Sequence, residues 1–289
     1  MKPAPFEYAA PNTLSEALSV LADNDPDEVK ILAGGQSLMP LLNMRLARPR
    51  LLLDLTRLDE LEYVREIDGG LAIGAMTTKR AIEESELVRD RNPLFWQATV
   101  MIGHPQIRNR GTVGGSMVQA DPAAEYPAAA VVLDIELVAR GAAGERTIPA
   151  DEFFVTYLTT SLEPGEILTE VRVPDMRPGT GWSIQEVARR HGDFAIVGAA
   201  ATLRLEGGRC ADPRIVVFGA TDRARRYPDA EALLAGQAPD ESAVERAATQ
   251  VAESIEDPIG DVHASEEYRR DLARVLTRRA LLEAAGRAG

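Results

Sequence analysis

Residues 30–40, KILAGGQSLMP, carry an apolar strand-like run into two adjacent glycines and straight on into a helix-like run. A strand that becomes a helix over a glycine pair can gather the N–H groups of the turn and of the first helical residues around one point, which then favours an anion. Glycine suits such a place because a Cβ would hold a phosphate oxygen off the main chain, and because the turn often needs positive φ. The same letters also spell a plain strand-to-helix turn with Ser37 capping the helix. On this stretch alone the plainer reading takes precedence, since short glycine motifs recur by chance.

A second glycine pair shifts the balance. Arg110-Gly111-Thr112-Val113-Gly114-Gly115-Ser116 again joins small residues, hydroxyls and glycines, and Asp121 and Glu125 follow it. A dinucleotide offers a diphosphate together with sugar and base polar groups, so two such loops can share one ligand. Neither loop is a P-loop, because no Gly-Lys-Ser/Thr occurs, and no G-x-G-x-x-G follows a strand. ATP-driven phosphoryl transfer and Rossmann-type NAD binding lose support, while a flavin dinucleotide in another fold stays open. Arg108 and Arg110 are read either as diphosphate partners or as weak surface pairs.

Cysteine and histidine counts remove whole classes of chemistry. The chain holds one cysteine, Cys210, and the histidines His104, His191 and His263. A cluster of iron and sulfur needs about four thiolates, a structural zinc about four Cys or His ligands, and a disulfide a pair of cysteines. No metal site and no catalytic residue is expected on this chain. Cys210, in the turn-like EGGRCADP, reads as a small spare residue, and His104 and His191 lack a visible acid–base partner. Tyr126 and Tyr157 read as packing residues. A net charge of -13 with scattered basic residues argues against nucleic acid. No apolar run approaches the roughly 20 residues of a membrane span, and MKPAPFEYAAP lacks the apolar core of a secretion signal, so the expectation is a cytoplasmic protein.

The pattern along the chain is α+β. Thr13 and Glu16 have capping-box spacing before a helix with Leu14, Leu18 and Leu21 on one face. Strands are expected over Val29–Ala33 and Leu51–Leu55, a hairpin about Asp68, Gly69 and Gly70, and a helix over residues 76–90 anchored by Ile82 and Leu87. A more apolar helix follows from Pro93. AVVLDIELVARG and ERTIP read as strands, as does Ile167–Val173. PDMRPGTGW holds two prolines and two glycines in nine residues and marks a boundary near residue 177. Beyond it come antiparallel strands about a glycine turn, then helices, the last capped by Ser265 with Tyr268, Leu272, Val275, Leu276 and Leu282 on one face.

ILAGGQSLMPLLNMR, IGHPQIRNRGTVGGSMVQADPAAEYP, YLTTSLEPGEILTEVRVP, IQEVARRHGDFAIVG and ASEEYRRDLARVLTRRAL, in that order, resemble the FAD-binding medium subunit of the molybdenum hydroxylases, the group of carbon monoxide dehydrogenase and xanthine dehydrogenase. The resemblance implies an α+β fold: an FAD-binding domain of two α+β subdomains (PCMH type) over residues 1–176, then a smaller C-terminal α+β domain with antiparallel sheet and helices over 177–289. It implies an oxidoreductase subunit that takes electrons from iron-sulfur clusters of a partner and passes them to an external acceptor. An assembly or insertion factor without turnover is the alternative. FAD would sit on this chain, the molybdenum cofactor and iron-sulfur clusters on a large molybdenum subunit and a small iron-sulfur subunit, in a dimer of heterotrimers.

The resemblance also places Ile31, Leu32, Ala33, Gly34, Gly35, Gln36, Ser37 and Leu38, with Thr112, Gly114, Gly115 and Ser116, on the FAD diphosphate and its neighbours. It sets Ile102 beside the flavin, Glu125 as a polar contact, and Ile167 and Leu168 along the site. Gln36 stands where some members carry histidine, Ser116 where asparagine is frequent, and Glu125 where aspartate is frequent. Glu186 lies near a position where some relatives carry lysine.

Overall fold

The computed structural model describes residues 2–288. Its first layer is a small parallel sheet. β1 (Glu7–Ala9), α1 (Leu14–Ala22), β2 (Val29–Leu32), α2 (Leu38–Asn43) and β3 (Leu51–Asp54) follow one another, and the strands lie in the order β1-β3-β2. Parallel neighbours need a crossover, which is what α1 and α2 provide. The Thr13 hydroxyl accepts from the Glu16 N–H at 3.2 Å and starts α1, while the Glu16 carboxylate accepts from the Asn12 N–H at 2.8 Å. Leu14, Ala17 and Leu21 then bury against Leu51 and Leu53. Ser37 makes no side-chain cap on α2, and only Leu42 of that helix is buried.

The second layer is wholly antiparallel. β4 (Val64–Ile67) and β5 (Gly70–Gly74) form the expected hairpin, with Gly69 at φ +74°. Then come α3 (Lys79–Glu84), α4 (Glu86–Arg91), α5 (Pro93–Met101), α6 (Pro105–Arg108), α7 (Val113–Gln119) and α8 (Glu125–Leu133). β6 (Glu136–Gly141), β7 (Gly144–Pro149), α9 (Ala150–Phe153), β8 (Phe154–Thr156), β9 (Thr159–Thr160) and β10 (Ile167–Pro174) complete it, in the sheet order β4-β5-β10-β6-β7 with β8 and β9 paired apart. Two expectations are corrected here. The helix over 76–90 is two helices, because Ser85 is extended at ψ 109° and its hydroxyl caps α4 by accepting from Val88 N–H. Val88 is the buried anchor and Leu87 only half-buried. Ala130–Leu133, read as strand, ends α8, and Asp134 at φ 52° stops it before β6. Every residue of α8 is buried, so no amphipathic stripe was there to be seen.

The third layer holds β11 (Thr180–Ala188), β12 (Ala195–Glu206), β13 (Arg209–Phe218) and β14 (Arg225–Arg226) in sequential antiparallel order, with α10 (Pro228–Leu234), α11 (Glu241–Glu253) and α12 (Glu266–Arg287) on one face. Gly207 and Gly208, both at positive φ, turn β12 into β13. Cys210 lies near the start of β13 and is buried. Ser265 caps α12 as expected, but the buried face is Arg269, Ala273, Leu276, Thr277, Ala280, Leu281 and Ala284. Tyr268 stays exposed: the face is turned by about one residue because alanines let the helix sit close on β11, where a Cβ on Gly181 would overlap the Ala284 carbonyl.

The second and third layers share apolar core, since Ala195, Ala200, Val216 and Phe218 pack with Leu71, Phe95 and Met117. The segment before α8 is stitched to the third sheet by Gly219 N–H to Pro122 O at 2.7 Å and Ala195 N–H to Ala123 O at 3.3 Å. Among the described residues no helix is long and apolar enough to cross a membrane, and no group of His, Cys, Asp or Glu could hold a metal ion.

Candidate functional site

The two glycine pairs meet. A Cβ on Gly34 would overlap the Arg110 carbonyl oxygen and stand 2.8 Å from the Gly111 Cα, so the first loop lies directly on the second. Gly115 faces the same junction, where its Cβ would come within 3.5 Å of the Ala33 Cβ. Gly35 sits at φ +74°, a conformation glycine adopts without strain.

The loops differ in what their backbone has to offer. In the second, Val113 N–H donates to Thr77 O at 2.9 Å, Gly114 N–H to Ala75 O at 2.8 Å, Gly115 N–H to the Thr112 hydroxyl at 3.1 Å, and Ser116 N–H to Thr112 O at 3.3 Å. These four donors are spent, and Gly114 serves close approach: a Cβ on it would stand 2.9 Å from Ala75 Cα. In the first loop, by contrast, no N–H from Ala33 through Leu38 has a hydrogen-bond partner among the described residues. All of these residues are half-buried. The Gln36 amide donates to Gly34 O at 3.1 Å, which fixes the loop from within.

Such a run of N–H groups without protein acceptors could receive an anion, because the converging donors favour negative charge. A dinucleotide diphosphate is one group whose oxygens such donors could meet. Of the other residues that the resemblance indicated, Thr112 is buried with its hydroxyl capping α7, and Ser116 is half-buried with no partner for its hydroxyl. Ile102 and Leu168 lie in the core that also holds Val113 and Met117 of α7, and Ile167 lies in the first layer's core.

Glu125 opens α8 and is 4% exposed. Burial pushes its carboxyl up to about 7, against the pull of its own N–H and of Lys79. Glu186 on β11 faces it: burial first, then the Glu125 charge, pushes Glu186 up to about 8, and its enclosed Oε2 has no partner. Asp121 is raised by burial too. Glu125 and Glu186 are thus two carboxyls that hold protons near neutrality.

Arg108 is neither a diphosphate partner nor a surface pair. Its guanidinium grips both oxygens of Glu83 at 2.9 Å and donates to the carbonyls of Val100, Ile102 and Gly103, all from a buried position. It ties the segment before the second loop to α3. Tyr126 is buried, stacked on Phe95 at 4.9 Å, whereas Tyr157 is exposed and does not pack. Tyr157 lines a cavity of about 500 Å³ with Asp121, Arg189, Phe194, His263 and Arg269. Phe194 is 58% exposed at its edge. Sequence reasoning passed over Phe194, although the Gly192-Asp193-Phe194 turn holds it, and over Lys79, whose surroundings only the fold brings together.

The chain is similar over its whole length to known proteins. Residues 4–176 match the family described as FAD binding domain in molybdopterin dehydrogenase, and residues 182–284 match the CO dehydrogenase flavoprotein C-terminal domain. The chain is 41% identical over 289 residues to the 6-hydroxypseudooxynicotine dehydrogenase complex subunit alpha of Paenarthrobacter nicotinovorans, covering 100% of this chain and 97% of that protein. It superposes on carbon monoxide dehydrogenase from Hydrogenophaga pseudoflava with a TM-score of 0.97 at 38% identity, covering 100% of both chains. Quinoline 2-oxidoreductase from Pseudomonas putida 86 gives a TM-score of 0.94 at 40% identity over 99% of both chains.

Proposed function

The chain belongs to the family of FAD-binding medium subunits of molybdenum hydroxylases, a flavoprotein electron-transfer subunit of a multi-subunit oxidoreductase, and on that premise we propose which of its residues hold the dinucleotide. The observation that carries the assignment is the run of unpartnered N–H groups from Ala33 through Leu38, laid against Arg110 and Gly111. These N–H groups hold the diphosphate. Gly34 lets the first loop lie on the second, Gly35 takes the positive φ of the turn, Gln36 holds the loop in shape, and the Ser37 and Ser116 hydroxyls, both without partners, are the neighbouring donors. Thr112, Gly114 and Gly115 shape the second loop, which meets the first through Arg110, Gly111 and Gly115. Ile31, Leu32, Ile102, Ile167 and Leu168 form the apolar surroundings.

Bound there, FAD supplies the acceptance and onward delivery of electrons through its isoalloxazine ring. The chain's part is to bind, orient and set the local charge. Glu125 and Glu186, protonated near neutrality, donate hydrogen bonds instead of placing two negative charges beside the cofactor.

We also assign residues 1–176 to the FAD-binding domain and 177–289 to the C-terminal domain, with the boundary in the link between β10 and β11. The molybdenum cofactor belongs to a large partner subunit and the iron-sulfur clusters to a small one, assembled as a dimer of heterotrimers. Titration of the flavin-stripped full chain, alone and in its assembled complex, with FAD tests the site. Recovery of flavin absorption is expected. Failure to take up FAD in either state would reject it.

A further inference from the structure

We propose that Lys79 supplies the cation that faces the FAD diphosphate, from the floor of the junction between the two glycine loops. This rests on the assignment of those loops to the dinucleotide.

Lys79 opens α3, and its N–H donates to Gly111 O at 2.8 Å, which ties it to the second loop. Its side chain turns back under that loop. The Nζ lies 3.2 Å from the place a Cβ on Gly111 would take, and the Gln36 Cγ lies 3.6 Å from the same point. The ammonium therefore lies against the second loop, at the place where Gln36 of the first loop approaches it.

Lys79 is 5% exposed, yet its Nζ has neither a hydrogen bond nor an ion pair among the described residues. It rests 5.7 Å from the centroid of the Tyr126 ring, and Glu125 acts on it only through space. Among the described residues the enclosed side-chain atoms without partners are those of Ser161, Glu186, Arg204, Arg269 and Thr277, so the Nζ retains an opening to solvent. An ammonium so largely withdrawn from water, with no protein acceptor, is better satisfied when an anion completes it. Burial lowers its pKa to about 8, with Glu125 opposing the shift.

The two nearby arginines are placed differently. The Arg108 guanidinium is consumed by Glu83 and backbone carbonyls, and Arg110 is exposed, with its carbonyl forming the contact to Gly34. The diphosphate is doubly anionic in a chain of net charge -13. The free N–H groups of Ala33–Leu38 and the Lys79 Nζ thus bring neutral and charged donors to one junction.

The experiment compares wild type with Lys79→Met and Lys79→Arg, using the full chain alone and in its assembled complex, stripped of flavin. Each is titrated with FAD, ADP and riboflavin, and its melting temperature is followed with and without each ligand. Lys79→Met is expected to lose about ten- to a hundredfold in affinity for FAD and ADP, as for a charge-assisted hydrogen bond, and to bind riboflavin as wild type does. Lys79→Arg should retain part of the affinity. Without ligand, Lys79→Met should melt no lower than wild type, since it removes an uncompensated buried charge, while the rise in melting temperature on adding FAD shrinks. Wild-type FAD affinity should fall as the pH rises past the titration of Lys79, and Lys79→Met should not show that fall. Unchanged FAD and ADP affinity in Lys79→Met, or an equal loss for riboflavin, would overturn the proposal while leaving the dinucleotide site standing. A wild type that takes up FAD in neither state would overturn the site itself, and the proposal with it.

Discussion

Gly34 lies against Arg110 so closely that its α-hydrogen side meets the Arg110 carbonyl oxygen with no room for a methyl group. The glycine is required by loop-on-loop packing, in addition to any approach of a ligand. Gly34→Ala should therefore push the loops apart, costing about 1–3 kcal/mol as an overpacked contact does, and should weaken FAD binding. Gly69→Ala is the control: it has the same positive-φ demand as Gly35 but nothing within 4 Å of its Cβ. It should cost about 1 kcal/mol and leave FAD affinity alone. Urea unfolding and FAD titration of both variants check the pair.

Gly35 separates backbone from charge. Asn and Asp both tolerate the left-handed region better than other residues do, so Gly35→Asn and Gly35→Asp impose similar backbone strain at φ +74°. Only the aspartate sets a negative charge among the free N–H groups. FAD affinity should fall in both, and further in Gly35→Asp, by about tenfold beyond Gly35→Asn. Equal losses in the two variants would show that the loop does not meet an anion.

Arg108 should behave as a structural residue. Removing it as Arg108→Met leaves Glu83 and carbonyls on the segment before the second loop without their partner, a loss of about 3–5 kcal/mol for a broken buried pair. Arg108 also holds the Glu83 carboxyl below the usual carboxylate range. A depressed folded pKa gives stability that is present above the unfolded value of 4.5 and is lost as the pH falls through the folded one. Glu83→Gln should accordingly flatten the acid limb of the unfolding profile, measured by urea midpoints across that range.

The strand–glycine–helix turn, the hairpin at Gly69 and the β12–β13 hairpin were legible because turn chemistry is local. α8 was not, because a helix buried all round has no polar face and its apolar run reads as strand. The site divides in the same way. Gly34 and Gly35 announced a glycine loop, but whether the N–H groups of either loop are free depends on Thr77 and Ala75, which only the fold brings to Val113 and Gly114. Lys79 had no local signal, since its burial comes from the second loop and from Tyr126, far along the chain.

Glu125 and Glu186 give the last test, in the unliganded chain. Both carboxyls are raised, to about 7 and about 8, from 4.5. A raised folded pKa means that the stabilising contribution is full below the unfolded value and is lost as the pH climbs through the folded one. The groups that face this pair are Lys79 from α3 and Asp121 from the segment before α8, and Lys79 pulls Glu125 down while Asp121 pushes it up. Stability should therefore decline from about pH 5 to about pH 8 as the two carboxyls come under pressure to ionise in a buried place. Glu186→Gln keeps a neutral hydrogen-bonding group of the same shape and removes one of those ionisations. It should be more stable than wild type near pH 8 by on the order of 1–3 kcal/mol, with little difference near pH 5, because there the wild-type carboxyl is already neutral in the fold. Urea midpoints of the two chains at both ends of that range decide it: parallel profiles would mean that Glu186 ionises freely, with water or another residue meeting its Oε2.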